Sequence, residues 1–333
     1  MNDFSINAIA KKMNVSPSVV SRVLRHCGGV DSETRHRILA EAEKLREPNY
    51  GSCTVYGIFP DVPRYFWVPI RRGVAEVLQA EGIPFKANVC TKVVDEAAIL
   101  QYLNEAERMN AQAIILAVRS TPAIRERLEA FAEDRIVLFI SEYCELKNAF
   151  YCGSNAFSDG YRMGQYYAEH YADRTLILIE LPNDANSESR IEGFSRAVQD
   201  NDASLLEKSV RITTERKHLS NFKLISSKLA PLLVNAADKN DRLAIYVPAG
   251  IPQFPLAISK AELTGRTILL CQDCSATEKN IGELVSCNQN GVEQGKTAAR
   301  LVSEYIKTGF FPSEKKTFVP SEIRILTKPE PIK

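Results

Sequence analysis

Ser16, Pro17, Ser18, Ser21 and Arg22 lie close together in one short segment, which also has Lys11, Lys12, Arg25 and His26 on its flanks. Small hydroxyls and one guanidinium at this spacing suit hydrogen bonding to nucleic acid. Serine reaches phosphates or base edges, and arginine can hold a guanine by two parallel bonds. Other reactive groups are less organised. Cys271 and Cys274 form the C-x-x-C of CQDC, but with no second pair and no nearby histidine they are read as small strand-end residues around Asp273. The histidines, at 26, 36, 170 and 218, show no metal-ligand spacing, and the chain has neither a Gly-rich phosphate loop nor a Gly-x-Ser-x-Gly elbow. Catalysis is therefore not expected, nor is a metal or cofactor.

The elements that must position Ser16 to Arg22 follow from periodicity. Ile6, Ile9, Ala10 and Met13 make one apolar helical face, Asn14 breaks it, and Val15, Val19, Val20, Val23 and Leu24 make a second. Ser5 is expected to cap the first helix. Ser16 caps the second, with Pro17 at its first position, where a missing N–H costs nothing. The outward face of that second helix is shaped for a DNA major groove. A third helix, capped near Asp31 or Ser32, turns Ile38, Leu39, Ala42 and Leu45 inward. Residues 1–50 hold eight Lys and Arg against six Asp and Glu, so one copy should bind DNA weakly and a dimer reading two half-sites should bind well.

The run IAKKMNVSPSVVSRVL, then GGVDSETRHRIL and EKL..PN, resembles the lactose-repressor (LacI/GalR) family of bacterial regulators over nearly all of residues 4–49. The resemblance implies a helix-turn-helix in which Pro17, Ser18 and Arg22 reach base edges. Ser5, Ser16 and Ser21 would meet phosphates, with Arg25 beside them. It also implies a pseudo-palindromic operator and a homodimer.

With 333 residues, 45% hydrophobic and 25% charged, and a net charge of +1, the rest of the chain has the composition of a globular α/β protein with no acidic partner indicated. No apolar run approaches a membrane span, and the polar N-terminus reads as cytoplasmic. From Val55 onward short β-branched runs (VYGIF, AIILAV, IVLFI, LILIEL, LAIYV, TILLC) alternate with helical segments near 69–81, 95–108, 156–171, 187–200, 219–235 and 291–308. Continuous apolar strands between helices mean parallel sheets covered on both faces. The strands are too many for one sheet, so two doubly wound lobes with a ligand cleft are expected. The expected domains are a helix-turn-helix over 1–49, a short linker over 50–56 and an effector domain over 57–333. Its N-lobe spans about 57–154 and 288–312, its C-lobe about 155–287 and 313–328.

This body resembles the periplasmic-binding-protein-like effector domain of the same family, on PDVPRYFWVPIRRGVAEVLQAEG, SDGYRMG, SESRIEGF, Asp273 and NQNGVEQGKTAARLV in that order. The resemblance places Arg190, Asp273, Asp159, Asn155, Gln289, Phe66 and Trp67 at the effector. Arg190 would hold ring or hydroxyl oxygens, Asp273 would accept from hydroxyls, and the two aromatics, read as lying in a loop, would pack on a sugar ring. Each has a plainer reading: Asp159 as a charge at a helix N-terminus, Arg190 as a surface residue, Asp273 as a solvated strand end, Phe66 and Trp67 as core cover, Gln289 as a bridge. Two departures stand out. Tyr50 to Tyr56 holds no Ala-Arg-x-Leu hinge-helix motif, and the loop YVPAGIPQFP at 246–255 is apolar where relatives present a polar side chain. The expected protein is a cytoplasmic, dimeric, allosteric transcriptional regulator, most simply a repressor, answering to a small sugar-like effector. The competing expectation is a solute-binding or sensor protein of the same fold with little operator specificity.

Overall fold

The three predicted N-terminal helices form around one small core. In the computed structural model, which describes residues 3–24, 30–45, 55–61, 64–90, 95–118, 120–215, 218, 221–237, 242–250, 254–274 and 283–326, they are α1 (Asp3–Met13), α2 (Pro17–Leu24) and α3 (Ser32–Leu45). Ile9, Ala10, Val20, Val23 and Ile38 are buried together. The turn between α1 and α2 works because Asn14 takes a left-handed conformation (φ 54°), which lets the Val15 N–H reach back to the Ala10 carbonyl at 3.0 Å and close the helix end. Ser16 caps α2 by accepting from the Val19 N–H at 3.4 Å, and Asp31, not Ser32, caps α3 by accepting from the Thr34 N–H at 2.8 Å. Ser5 is not a cap: α1 starts two residues earlier, at Asp3, so Ser5 lies inside its first turn.

From Val55 onward the chain builds two sheets. The first contains β1 (Val55–Pro60), β2 (Phe85–Cys90), β3 (Ala113–Leu116), β4 (Ile136–Phe139), β5 (Ala149–Gly153) and β11 (Lys316–Phe318), in the order β11-β5-β4-β3-β1-β2. The second contains β6 (Thr175–Glu180), β7 (Val210–Thr213), β8 (Leu243–Tyr246), β9 (Thr267–Gln272), β10 (Glu283–Asn288) and β12 (Glu322–Leu326), in the order β12-β10-β9-β8-β6-β7. Strands β1 to β5 pair in parallel, as do β6 to β10. One further strand, β12, pairs antiparallel to β10 along the edge of the second sheet. Central strands such as β1, β3, β4 and β9 are buried at every residue, which is why they read as unbroken apolar runs.

The intervening helices are α4 (Arg64–Ala80), α5 (Glu96–Arg108), α6 (Pro122–Phe131), α7 (Ala156–His170), α8 (Ala185–Glu207), α9 (the consecutive pieces Phe222–Leu224, Ile225–Leu229 and Ala230–Ala236), α10 (Phe254–Lys260) and α11 (Gly291–Thr308). The middle piece of α9 is a π turn, which accommodates Pro231 without breaking the helix. Helix α8 outruns its predicted end near 200 because Asp202 leaves helical geometry (φ −155°, ψ 104°) and a second short helix follows the kink.

The chain divides into two compact units, residues 1–153 with 291–317 and residues 154–290 with 318–333. The expected linker over 50–56 overlaps β1, which has begun by Val55; residues 46–54, where the hinge-helix question lies, fall outside the described residues. In both units the strand order reverses beside the first strand, between β1 and β3 and between β6 and β8. Loops at the carboxyl ends of strands meet at such a switch point, where doubly wound sheets take their ligands.

Candidate functional site

Two features could carry function, the exposed start of α2 and a buried polar cluster at the strand ends of the second unit. On α2, Ser16, Pro17, Ser18 and Arg22 are exposed and Ser21 is half-buried, while Val20 and Val23 face inward. Ser16 and Ser18 share a hydroxyl–hydroxyl bond of 2.7 Å, so the cap that fixes the helix start also orients both hydroxyls. Lys12 pairs with the buried Glu41 of α3 and so also braces the fold, whereas Lys11 is exposed. Arg25 lies outside the described residues, and of Ser5 only the backbone is described.

The second unit brings Arg190, Asp159, Asp273, Gln289 and Asn155 into play. Arg190 on α8 is only 7% exposed, and its Nη1 donates to the Pro248 carbonyl at 3.1 Å, so α8 after β6 reaches the loop after β8 across the switch point. In this apolar loop the acceptor is the Pro248 backbone carbonyl, and Val247, Ala249 and Phe254 are buried in the core. Asp273 follows β9 in a left-handed conformation (φ 45°). Its Oδ1 accepts from the Gln289 N–H at 2.8 Å and its Oδ2 from the Gln289 amide, while the Gln289 Oε1 accepts from the Ser154 hydroxyl at 2.8 Å. Burial pushes the Asp273 carboxyl up to about 6, with the neighbouring Asp159 charge raising it further and the Gln289 bonds and Arg190 pulling it down.

Helix packing fixes this cluster. A Cβ on Gly160 of α7 would stand 2.0 Å from the Arg190 carbonyl, and one on Gly193 of α8 would stand 2.1 Å from the Phe157 carbonyl, so the two backbones touch where Arg190 projects. The motifs SDGYRMG and SRIEGF are therefore two halves of one helix crossing. Asp159 is 2% exposed and accepts from the Ser321 hydroxyl at 2.5 Å, while Arg162 donates to the Ser321 carbonyl; both tie α7 to the segment entering β12. Asn155 caps α7 by accepting from the Ser158 N–H at 3.0 Å.

Sequence reasoning passed over Gln272 and Tyr246, both fully buried beside the cluster. The Gln272 amide donates to the Tyr246 hydroxyl at 3.5 Å, and Tyr246 stacks on Phe194 at 4.2 Å, its own proton held by burial. Both end apolar strands, and their positions one after another at strand termini were the available signal. Among the described residues the Arg190 Nε, the Asp159 Oδ2 and the Gln272 Oε1 are buried without a hydrogen-bond partner. Cys271 is buried at the end of β9 and its thiol is pushed well up, first by a hydrogen bond with Cys274 and then by burial, which fits a packed strand-end thiol and not a reactive one.

In the first unit the structure corrects the placement of Phe66 and Trp67. They lie in α4, which starts a full turn before Pro69, the residue that marked the helix start in the sequence. A proline this early forfeits only one helical bond. Trp67 is 5% exposed with its Nε1 buried and unpartnered, and Phe66 meets it edge-on at 4.7 Å.

Comparison with known proteins follows the same division. Residues 5–49 match the bacterial regulatory proteins of the lacI family. The N-terminal segment is a LacI-family helix-turn-helix domain. No curated protein matches the chain. Among solved structures, a LacI-family transcriptional regulator from Silicibacter pomeroyi is similar over 97% of this chain and 98% of its own, at TM-score 0.61 and 18% identity. The transcriptional regulator CelR in complex with cellobiose is similar over 96% of this chain and 98% of its own, at TM-score 0.61 and 16% identity. A periplasmic solute-binding protein from Actinobacillus succinogenes with bound D-allose covers 81% of this chain and 97% of its own, at TM-score 0.65 and 14% identity. After the LacI-family domain the chain thus has the periplasmic-binding-protein-like fold shared by these regulators and solute-binding proteins. No helix among the described residues is long and apolar enough to cross a membrane.

Proposed function

We propose that this protein is a cytoplasmic, dimeric transcriptional repressor that reads a pseudo-palindromic operator with α2 and answers to a small hydroxylated effector on the cluster around Arg190. The LacI-family domain at 5–49, with Ser16, Pro17, Ser18 and Arg22 exposed on its second helix, carries this reading. In it Arg22 takes a guanine, Ser5, Ser16 and Ser21 hold phosphates, and Arg25 adds charge beside them. For the effector, the buried Arg190 Nε wants an acceptor and the Asp159 Oδ2 and Gln272 Oε1 want donors. A hydroxyl is both, and leaving such atoms unpaired costs about 1–3 kcal/mol each, so a polyol that reached them would be bound tightly and selectively. Asp273, Gln289 and Asn155 position that cluster.

The test is selection of DNA by the full-length chain from a random-sequence pool. Enrichment of an inverted repeat is expected. Arg22→Ala should relax the choice of base at one position per half-site, by about tenfold, while Lys11→Ala weakens binding to all sequences alike. A pool that stays unenriched, or equal and uniform losses in the two variants, would refute the reading.

A further inference from the structure

The second unit carries another cavity, on the far side of α8 from Arg190. It is open to solvent and offers about 460 Å³ between α8, the end of β6 and the edge strand β7. Its wall includes Leu181, Pro182, Ile191, Ser195, Glu188 and Glu192. At 100° per residue, Glu188, Ile191, Glu192 and Ser195 lie roughly 100–200° round α8 from Arg190, so the helix that presents Arg190 to one side presents this group to the other.

The charges in the cavity do not balance. Glu180 is already used, its Oε1 accepting from Arg211 at 2.6 Å and its Oε2 from Thr213 at 3.1 Å. Glu188 accepts one bond, from the Asn183 N–H at 2.9 Å, and Glu192 has no ion-pair or hydrogen-bond partner among the described residues. With Arg211 cancelling Glu180, two carboxylates one helical turn apart remain beside an apolar wall. The Ser195 Oγ in that wall is buried and unpartnered, so a polar group is missing there too. A metal ion does not suit the place, since among the described residues no three carboxylates, histidines or cysteines converge on one point.

We infer that this cavity is a second binding site, taking a small organic amine whose ammonium lies between Glu188 and Glu192 while its hydrocarbon body covers Leu181, Pro182 and Ile191. The volume holds one such molecule, and the apolar wall supplies the burial that an exposed charge pair alone does not.

Phenethylamine is the probe, titrated calorimetrically into the full-length protein, with 2-phenylethanol as its neutral counterpart. The amine should bind saturably and the alcohol about tenfold more weakly. Glu188→Gln and Glu192→Gln, both on exposed positions, should each weaken the amine by about threefold and together by about tenfold. Arg190→Ala should leave it unchanged, which separates this site from the proposed effector cluster. Raising the salt should also weaken binding, as expected of exposed charges. No saturable binding, equal binding of the alcohol, or a loss that follows Arg190 and not the two glutamates would overturn the assignment. Circular dichroism of each variant keeps a folding defect from being read as a binding one.

Discussion

Replacing Gly160 by alanine puts the helix crossing and the candidate effector cluster to one test. The added methyl would stand 2.0 Å from the Arg190 carbonyl oxygen and 2.7 Å from the Arg190 carbonyl carbon and Cα, all of them backbone atoms that no rotamer change can move. Ordinary contact needs α7 and α8 to part by roughly 1 Å, and such overpacking costs about 1–3 kcal/mol. Alanine is intrinsically a better helix former by up to about 1 kcal/mol, so the net loss should be about 1–2 kcal/mol, read as a lower denaturation midpoint with little change in slope. The consequence for the cluster is separate. Arg190 rides on the displaced helix, and its Nη1 bond to Pro248 at 3.1 Å leaves little slack, so effector binding should fall by tenfold or more. Gly73→Ala is the control: its Cβ would stand 2.2 Å from the Val292 carbonyl, both residues lying in the first unit, so it should cost similar stability without touching Arg190. Wild-type stability in Gly160→Ala, or equal effector losses in both variants, would refute the argument.

Two more outcomes follow from the same cluster. A thermal-shift screen against sugars, sugar acids, sugar phosphates and nucleosides should give a ligand whose shift vanishes in Arg190→Ala and is not restored by Arg190→Lys, because an ammonium cannot reproduce the planar fork; a full shift in either variant would place the effector elsewhere. The second concerns pH. The Asp273 carboxyl is held at about 6 against an ordinary 3.8, so between those values the folded chain binds more protons than the unfolded one. Its contribution to stability is therefore fully present below about 3.8 and lost as pH rises through 6. Denaturation midpoints of Asp273→Asn should lack that component, and an unchanged pH profile between 4 and 7 would count against it.

Much of the architecture was legible because it rests on periodicity. Unbroken apolar runs such as AIIL and IVLF, too short for buried helices and set between helical segments, read as strands buried on both faces, and Val20, Val23 and Ile38 fall where a three-helix core needs them. What failed turned on residues with two possible roles. Pro69 marks a helix start as readily as it tolerates an interior position one turn in, and that ambiguity left Phe66 and Trp67 outside α4. Ser5 is a good cap, but the chain had already turned helical at Asp3. The antiparallel β12 was missed because EIRIL alternates like a half-exposed edge and lacks the apolar run of its neighbours.

The polar residues of the cluster show a limit of a different kind. Type and order placed Asp159, Asn155, Asp273 and Gln289 near one another, yet each has a partner inside the protein: Ser321, the Ser158 N–H, Gln289 and Ser154 respectively. A sequence motif cannot tell a side chain that meets a ligand from one that holds the ligand-meeting group still, since both are polar, buried and fixed by the same helix crossing. Hydrogen-bond accounting can. Of the group, Arg190 and Asp159 retain unpaired buried atoms, joined by Gln272, which no motif pointed to. Buried atoms left unpaired are costly enough that these three, and not the better-paired Asp273 and Gln289, are where a hydroxylated ligand would gain most.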